Sequence, residues 1–370
     1  MKICLLVSSM GAGGAERVAA TLSNGWVSRG HGVTLVVTYS NKGTCAYQLD
    51  PRVELVYLSD HVTQETNNTF VKILRFFALR KIIKERGPTV IVSFLTNVNV
   101  AAIAVSFGLA LPVVVAERSH PPKMPTDWRL AHLRKLTYPF AATVVMLTTM
   151  GLQWVNTNIR TTRVAVIPNP VNFPLPAIPP LSRPTDFFSG ERKLVLSVGR
   201  LVPGKQVDHL IRAFSKIASM HSQWDLAIVG EGPSSAELMA LAERLQLSPR
   251  IKFIGQAGNV GDWYARADLF VLSSQFEGFP NTLVEAMAYG CAAVSYDCDT
   301  GPRDIITSGI DGILIPPDGG EQALAVTISS LMGNDGERIR MAKAAESVRV
   351  RFALSQILDQ WDLVFKPLLN

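Results

Sequence analysis

Two glutamates eight residues apart, Glu277 and Glu285, form the pattern that points most directly to chemistry. A loop and the first turn of a helix predicted to begin near Asn281 separate them, so Glu277 precedes the helix and Glu285 lies slightly more than one turn into it. Backbone amides at a helix start attract anions. Since a carboxylate accepts two hydroxyl hydrogen bonds at once, carboxylates that flank a phosphate site suit a sugar ligand: one binds a ribose and the other a hexose.

A second pattern is a loop of glycine, proline and two cations. The segment 199–205 (GRLVPGK) follows a predicted strand and sets Arg200 and Lys205 five residues apart. Arginine offers a planar fork and lysine a point charge, a combination that suits a diphosphate. Further along, Gly230 and Gly232 flank a glutamate at the end of another predicted strand, where glycine lets the backbone approach a ligand closely.

The glycine-rich segment 11–16 (GAGGAE) joins the first predicted strand to the first predicted helix, which is where anion-binding turns are found. A dinucleotide-binding GxGxxG motif would need glycine in place of Glu16, and the second strand ends without the acidic residue that binds a ribose. Nicotinamide and flavin sites are therefore disfavoured. Two interpretations stay open: a tight turn that needs small residues, or amides that meet a phosphate or a substrate.

Short, continuously apolar runs alternate with helix-length segments along the chain, which predicts an α/β fold with parallel sheets covered on both faces. The predicted strands are 3–7, 33–37, 53–57, 90–94, 113–116, 143–146, 164–167, 194–198, 225–229, 251–254, 269–272, 293–296 and 312–315. The predicted helical segments are 15–29, 70–86, 97–107, 128–136, 206–218, 234–246, 281–289, 320–350 and 355–369.

Seven prolines between Pro168 and Gly190 interrupt this alternation, because proline is excluded from helix interiors and sheet ladders. We interpret the stretch as a linker between two doubly wound, Rossmann-like domains. The predicted division is a first domain at 1–172, a linker at 173–191, a second domain at 192–350 and a terminal helix at 351–370 that packs back on the first domain. Ligands bind outside the carboxyl ends of such strands, so domains that face each other place the site in a cleft.

Composition and charge limit the function classes. The 370 residues are 48% hydrophobic and 18% charged, which excludes a disordered chain, a collagen or a coiled coil. Four scattered cysteines and six histidines show no metal-ligand spacing, so no metal site is expected. Residues 1–185 carry a net charge of +11 and residues 186–370 a net charge of −5, which predicts an anionic partner for the first half. Without a secretory signal or an uninterrupted apolar span, we expect a cytoplasmic protein, at most peripheral on the inner face of the cytoplasmic membrane.

In their order and distances these patterns resemble retaining glycosyltransferase family 4, whose members have the GT-B fold of two Rossmann-like domains. The resemblance covers nearly the whole chain and is carried by GGxE at 13–16, GRxxxxK at 199–205, GEG at 230–232, the glutamate pair at 277 and 285, VGDWYARADLFVL at 260–272 and GPRDII at 301–306. It is closest to bacterial members that build lipid-linked glycans, capsules or lipopolysaccharide. It implies transfer of a hexose or N-acetylhexosamine from a nucleotide sugar, a UDP-sugar being favoured, to a lipid-linked or lipopolysaccharide acceptor.

The resemblance also implies a role for each candidate residue. Arg200 and Lys205 hold the donor diphosphate, Glu285 binds the ribose hydroxyls, and Glu277 binds the transferred sugar. The other implied donor contacts are Gly13, Gly14, Gly230, Gly278, Phe279, Asn281, Thr282 and Leu283. Fixed cations and amide dipoles that meet the charge developing on a nucleoside diphosphate provide most of the catalysis, so neither a metal nor a cofactor is expected.

One position departs from the family pattern. Many members have a histidine after the fifth-strand region of the first domain, pointing at the donor sugar, whereas this chain has Arg118 there and His120 two residues on. We take Arg118 as a catalytic residue that faces the sugar or a phosphate. The alternative is a surface pair between Arg118 and Glu117.

The predicted helix 70–86 carries six cations and ten apolar residues. One predicted face holds Phe70, Val71, Leu74, Phe77, Ala78 and Ile82, and the opposite side mixes Lys72, Arg75, Arg80 and Arg86 with Phe76, Leu79 and Ile83. Because a solvated face would not keep three apolar residues, one interpretation is docking to an anionic membrane surface or to a polyprenyl diphosphate. The other is a core helix whose far side is covered by its neighbours.

The sequence also allows three rival assignments of site or function. The sequence DCD at 297–299 matches the DxD pattern that holds a divalent metal in the other glycosyltransferase fold, but its setting before Gly301 disfavours a metal. A sugar-nucleotide isomerase of the 2-epimerase type shares the two-domain architecture and is the alternative function. A nucleic-acid-binding module needs stacking aromatics among its cations and a recognised reading motif, so no nucleic-acid partner is expected.

Overall fold

A computed structural model describes residues 1–39, 45–62, 69–123, 127–161 and 163–369, apart from the side chains of residues 69 and 70. All thirteen predicted strands are confirmed to within one residue at each end. They are β1 Lys2–Val7, β2 Gly32–Val37, β3 Val53–Tyr57, β4 Val90–Phe94, β5 Val113–Ala116, β6 Thr143–Met146, β7 Val164–Val166, β8 Lys193–Val198, β9 Trp224–Val229, β10 Ile251–Gly255, β11 Leu269–Leu272, β12 Ala292–Tyr296 and β13 Ile313–Ile315.

The strands form two parallel sheets. The first has the order β3-β2-β1-β4-β5-β6-β7 and the second β10-β9-β8-β11-β12-β13. In the register of the first sheet, Leu5 lies opposite Leu35 on one side and Val92 on the other. Because parallel strands end at a common edge, the loops after β4, β5 and β7 share one edge of the first sheet, and the loops after β8, β9 and β11 share one edge of the second.

Helices separate the strands, as predicted for an α/β fold. They are α1 Gly14–Ser28, α2 Thr69–Arg86, α3 Thr96–Ser106, α4 Trp128–Thr137, α5 Thr149–Asn158, α6 Val207–Ile217, α7 Ser235–Arg244, α8 Val260–Arg266, α9 Asn281–Ala288, α10 Pro302–Ile305, α11 Gly320–Gly333, α12 Asp335–Ala345, α13 Val348–Arg351 and α14 Leu354–Phe365. The prediction of one helical segment at 320–350 is wrong, because this range contains the three helices α11, α12 and α13. Asn334 ends α11 and caps α12, where its side chain accepts a hydrogen bond from the amide of Glu337.

By their internal contacts the residues divide into two units, Met1–Pro170 with Leu354–Asn370, and Val171–Ala353. The proline-rich segment that we interpreted as a linker packs on the second unit. Gly258 exchanges backbone hydrogen bonds with Ile178 (3.2 Å) and Pro180 (2.6 Å). The indole N–H of Trp263 donates to the carbonyl of Ser182 at 3.0 Å. The segment is therefore anchored along α8.

The helix α14 completes the first unit, although it follows the second unit in the sequence. Together with α1 it covers one face of the first sheet, while α2, α3 and α5 cover the other face. Its Trp361 is fully buried, with its ring edge-on to Trp26 at 5.6 Å and beside Phe365 at 5.7 Å. Arg29, the residue that caps the C-terminus of α1, pairs with Asp359 (2.7 Å) and Asp362 (2.5 Å) of α14. Aromatic packing and a charged rim thus hold the helix in place.

The two faces predicted for α2 are not those of the structure. Leu79 and Ile83, which we placed on the side opposite Ile82, are buried together with it, whereas Phe77, which we placed on the same face as Ile82, is exposed. Phe70, which we assigned to that same face, has a side chain outside the described residues. Within the described part of the chain, no helix is long and apolar enough to cross a membrane.

Replacing Trp361 with alanine should lower the free energy of unfolding of the first unit by about 3–5 kcal/mol, because it leaves a cavity against Trp26. Urea unfolding followed by circular dichroism measures the loss. The matched control is Trp128→Ala at a highly exposed position, which should change stability by less than about 0.5 kcal/mol. Equal effects of the two substitutions would contradict the packing described for α14.

Candidate functional site

Proline and a left-handed residue shape the loop between β8 and α6. Pro203 opens a short turn that ends at Lys205. Gln206 then takes a left-handed conformation, with φ at 47°, from which α6 starts. Because α6 buries an apolar face along its length, it holds this end of the loop at the carboxyl edge of the second sheet.

Two glycines allow this loop to lie directly on the loop after β9. The amide of Leu201 donates to the carbonyl of Glu231 at 2.8 Å, and the carbonyl of Leu201 accepts from Ser234 at 3.0 Å. A Cβ on Gly230, where φ is 131°, would lie 2.0 Å from the carbonyl oxygen of residue 199, and one on Gly232 would lie 2.2 Å from that of Leu201. We predicted that these glycines let the backbone approach a ligand; in the structure they also let the backbones of the two loops approach each other.

Lys205 and Glu277 meet at this edge. The Lys205 ammonium donates to Oε1 of Glu277 at 2.5 Å, and the Ser274 hydroxyl donates to the same oxygen at 2.6 Å. The Ser273 hydroxyl donates to the Lys205 carbonyl at 3.0 Å, and Thr300 donates to the Glu277 carbonyl. With 28% of the lysine side chain and 10% of the glutamate side chain exposed, the pair is fixed yet accessible.

Arg200 supplies a second cation to the same place. Its side chain is exposed and lines, with Lys205, Ser273 and Ser274, a recess at the ends of β8 and β11. Among the described residues it has no ion pair, whereas Lys205 is already paired with Glu277. The recess therefore keeps an excess of positive charge that an anion can neutralise.

The helix α9 begins at Asn281, four residues after Glu277. No side chain of the described residues caps it, and Pro280 occupies the capping position. The amides of Asn281 and Thr282 belong to its first turn, but that of Leu283, which we also predicted as a donor contact, already donates to the Pro280 carbonyl at 3.0 Å. The Phe279 ring is buried and packs edge-on against Phe352. Of this predicted set, the first two amides are the better placed for an anion.

Glu285 lies one turn into α9, as predicted, and is only 5% exposed. Its Oε2 accepts a hydrogen bond from the Tyr264 hydroxyl at 3.1 Å. Sequence reasoning missed Tyr264, although it belongs to the segment 260–272 that we quoted. It also missed Ser273 and Ser274, which the position of a strand's carboxyl end would have identified.

The first carboxylate of the DxD sequence at 297–299 is already paired with an arginine of this chain. Both carboxylate oxygens of Asp297 accept from the Arg303 guanidinium, at 2.9 and 3.0 Å. In the described ranges there is no cluster of three or more histidine, cysteine, aspartate or glutamate residues that could hold a metal ion.

In the first unit, a carboxylate lies against the glycine-rich loop. Ser9 donates to Oε1 of Glu16 at 2.5 Å, and Tyr47 donates to the Gly13 carbonyl at 2.9 Å. A Cβ on Gly13 would lie 2.1 Å from Oε2 of Glu16, so a side chain there would displace this carboxylate. An anion at Gly13 or Gly14 would face this carboxylate, which partly offsets the positive start of α1.

Arg118 follows β5 and does not form the surface pair with Glu117 that we considered as the alternative. Its guanidinium carbon lies 3.6 Å from the centre of the Phe94 ring, and Nη1 donates to Asn169 at 3.0 Å. Nε and Nη2 are buried and have no hydrogen-bond partner among the described residues. This burial lowers the pKa of Arg118 to about 9. A desolvated cation with two nitrogens that have no partner among the described residues is a candidate ligand for an anion.

Glu117 points into the first unit instead. It is 1% exposed, accepts from the Tyr138 hydroxyl at 2.5 Å and from Thr96 at 2.9 Å, and lies 3.9 Å from the Arg134 guanidinium. Burial raises the pKa of this carboxyl group. The network ties the ends of β4 and β5 to α3 and α4, and so positions the backbone that carries Arg118.

Two family models match this chain, and each match covers most of one unit. Residues 182–348 match the model described as Glycosyl transferases group 1, and residues 12–173 match the model described as Glycosyltransferase Family 4. Between them the two matches include every candidate site residue.

Individual relatives agree with these matches. The chain is 28% identical, over 98% of its own length and 97% of the relative's, to the GalNAc-alpha-(1->4)-GalNAc-alpha-(1->3)-diNAcBac-PP-undecaprenol alpha-1,4-N-acetyl-D-galactosaminyltransferase of Campylobacter jejuni. It is 38% identical over 64% of its length to the exopolysaccharide phosphotransferase SCO2592 of Streptomyces coelicolor, but spans only 24% of that protein. The solved structure of Anabaena Alr3699/HepE in complex with UDP has a TM-score of 0.81 at 21% identity, covering 99% of this chain and 100% of that chain.

The contact between the two glycine loops can be tested by adding one methyl group. Gly232→Ala should lower the free energy of unfolding of the second unit by about 1–3 kcal/mol, because the new Cβ meets backbone that has to move. Gly190→Ala is the matched control, since a Cβ there has no atom within 4 Å. Chemical denaturation of both variants measures the difference, and wild-type stability in Gly232→Ala would refute the close approach.

Proposed function

We propose that this chain, which belongs to glycosyltransferase family 4 and has the GT-B fold, transfers a hexose or N-acetylhexosamine from a nucleotide sugar to a lipid-linked glycan, with retention of anomeric configuration. The observation that carries the proposal is the Lys205–Glu277 pair, which lies beside Arg200 at the carboxyl ends of β8 and β11. It places a cation for a phosphate next to a carboxylate for a sugar hydroxyl.

In the proposed donor complex, Arg200 and Lys205 hold the diphosphate, supported by the first-turn amides of α9. A UDP-sugar is favoured, and the presence of UDP in the similar structure of Alr3699/HepE supports this choice. Glu285, held by Tyr264, accepts the ribose hydroxyls. Lys205 and Ser274 both donate to Oε1 of Glu277, so Oε2 can accept a hydroxyl of the transferred sugar.

Catalysis then rests on the leaving group. The bond between the anomeric carbon and the diphosphate oxygen breaks, and the electron pair stays on the nucleotide, where Arg200 and Lys205 stabilise the charge. An acceptor hydroxyl oxygen bonds to the same face of the anomeric carbon, and its proton passes to the departing phosphate. We propose that no metal takes part, since Asp297, the first carboxylate of the DxD sequence, is held by Arg303.

The acceptor assignment rests on the relatives. The Campylobacter relative, aligned over nearly the whole of both chains, is named for an undecaprenyl-diphosphate-linked acceptor. We propose a lipid-linked or lipopolysaccharide glycan as the acceptor and peripheral action at the cytoplasmic membrane. The 2-epimerase alternative is not favoured, because the matched families are transferases.

Arg118 takes a catalytic role in this proposal. The N–H groups of its Nε and Nη2, together with its position after β5, suit a phosphate or a hydroxyl of the donor. Contact with the Phe94 ring and a hydrogen bond to Asn169 fix its orientation. The arginine would thus act where many family members have a histidine.

Lys205→Ala and Glu285→Ala should each reduce kcat/KM for the nucleotide sugar by about 10²-fold or more, because the diphosphate loses a cation in the first variant and the ribose hydroxyls lose their acceptor in the second. Turnover with a polyprenyl-diphosphate-linked acceptor, measured in EDTA so that metal dependence is tested at once, provides the readout. Lys216→Ala is the control, since this α6 lysine pairs with Glu321. Wild-type turnover in either site variant would remove that residue from the site.

Arg118→Met should separate activity from stability. Turnover should fall about 10²-fold, while the free energy of unfolding stays unchanged or rises by about 1–4 kcal/mol, because an unpaired buried cation is replaced by an apolar chain of similar length. Arg52→Met, at an exposed surface pair with Asp50, is the control. A variant with lost stability and full turnover would assign Arg118 a structural role only.

A further inference from the structure

The outer surface of α2, α3 and α4 combines large apolar side chains with cations. We call it the α2–α4 surface. The most exposed apolar residues are Trp128 at 72%, Phe107 at 71% and Phe140 at 66%; Ile73, Phe77, Leu133 and Leu136 are also exposed. A water-facing surface rarely keeps so many large apolar side chains together unless something covers them.

The helix α4 shows this distribution most clearly, because a charged side chain is buried and leucine side chains are exposed. Its one fully buried side chain is Arg134, which pairs with Glu117 and lies over the Trp154 ring at 4.6 Å. Leu133 and Leu136 point outward in the same helix. A polar anchor thus holds α4 on the protein while Trp128, Leu133 and Leu136 are exposed.

Neighbouring elements continue this pattern. α3 packs against both α2 and α4, and Phe107, at the end of α3, lies edge-on to Phe140 at 6.2 Å. Arg80 of α2 donates to the carbonyl of Phe107 at 2.9 Å. Ile73 and Phe77 share one exposed stripe of α2. Since α2 and α3 cover the same face of the first sheet, their outward residues belong to one side of the unit.

Charge identifies the partner. Lys72, Lys81, Lys84, Arg129 and Lys135 are exposed on α2 and α4, and residues 1–185 have a net charge of +11. Glu85 and the α4 capping residue Asp127 are the acidic residues of these two helices. A second copy of this surface would meet it with like charge. An anionic bilayer instead accepts aromatic rings at its interface and attracts the lysines and arginines around them.

We infer that the α2–α4 surface docks on an anionic lipid bilayer, with Trp128, Phe107 and Phe140 inserted at the headgroup level. The proposed surface is larger than the docking face predicted for the helix 70–86, because it also includes α3 and α4. The inference rests on the proposed function only for the biological reason to dock, since a lipid-linked acceptor lies in such a bilayer. Its test needs neither donor nor acceptor.

Trp128 provides a local probe for the test. Four of the six tryptophans are fully buried and Trp154 lies beneath Arg134, so insertion should change mainly the emission of Trp128. Adding phosphatidylcholine vesicles that contain phosphatidylglycerol to the full-length protein should shift its emission to the blue. Trp128→Phe should abolish the shift while keeping the binding measured by vesicle flotation.

Matched leucine pairs test the apolar contribution. Leu133→Gln with Leu136→Gln should weaken flotation about tenfold or more, since binding scales with the apolar area inserted. Leu363→Gln with Leu369→Gln replaces two exposed leucines at the C-terminal end of the same unit and should leave flotation unchanged. Arg129→Gln with Lys135→Gln should weaken binding to anionic vesicles about twentyfold.

Three outcomes would overturn the inference. One is the absence of flotation with anionic vesicles. Another is equal weakening by the two leucine pairs. The third is a dimer, seen by analytical ultracentrifugation, that the Leu133/Leu136 variant dissociates, because the cover would then be a second copy. Donor turnover with a detergent-solubilised acceptor is measured in parallel; normal turnover without flotation would reject the bilayer surface and leave the proposed reaction intact.

Discussion

The salt bridge between Lys205 and Glu277 organises the candidate site, and it exists because of the order of the strands. The two residues are 72 positions apart in the sequence, but β8 and β11 are neighbours in a parallel sheet, so the loops that carry them emerge at the same edge. A partly buried ion pair is stable only where further hydrogen bonds compensate for lost hydration. Ser274, just after β11, donates one to Glu277, and Ser273 donates another to the backbone carbonyl of Lys205. The pair is therefore positioned by the folded protein itself.

Two glycines near this ion pair also help to position the charged side chains. Gly230 and Gly232 bring the loop after β9 into backbone contact with the loop that carries Arg200. A side chain at either position would separate the loops by the width of at least one atom, and the cations would move with them. Catalysis by fixed charges loses much of its effect when the charges shift by an ångström. The glycines thus act through the precision of the scaffold.

The strands, their parallel arrangement and the placement of the two glutamates could be predicted, because each depends on local pattern: apolar β-branched runs for strands and a helix start after Pro280. What local pattern does not contain is the side of a helix that meets the sheet. α2 has apolar residues around most of its circumference, so periodicity could not show that Leu79 and Ile83 are buried and Phe77 is exposed. Likewise, the partner of Glu117 depends on how α4 packs, and spacing alone suggested its neighbour Arg118.

The first unit reverses the usual distribution of polarity where its chemistry is expected. Glu117 and Arg134 are inside, with Tyr138 and Asn99 completing a hydrogen-bonded chain beneath the sheet edge. Buried polar groups with several partners are costly to rearrange, so this chain gives the ends of β4 and β5 one geometry. Arg118 emerges from that fixed base onto the Phe94 ring. The network of Glu117 thereby fixes the backbone that carries Arg118, whose Nε and Nη2 have no hydrogen-bond partner among the described residues.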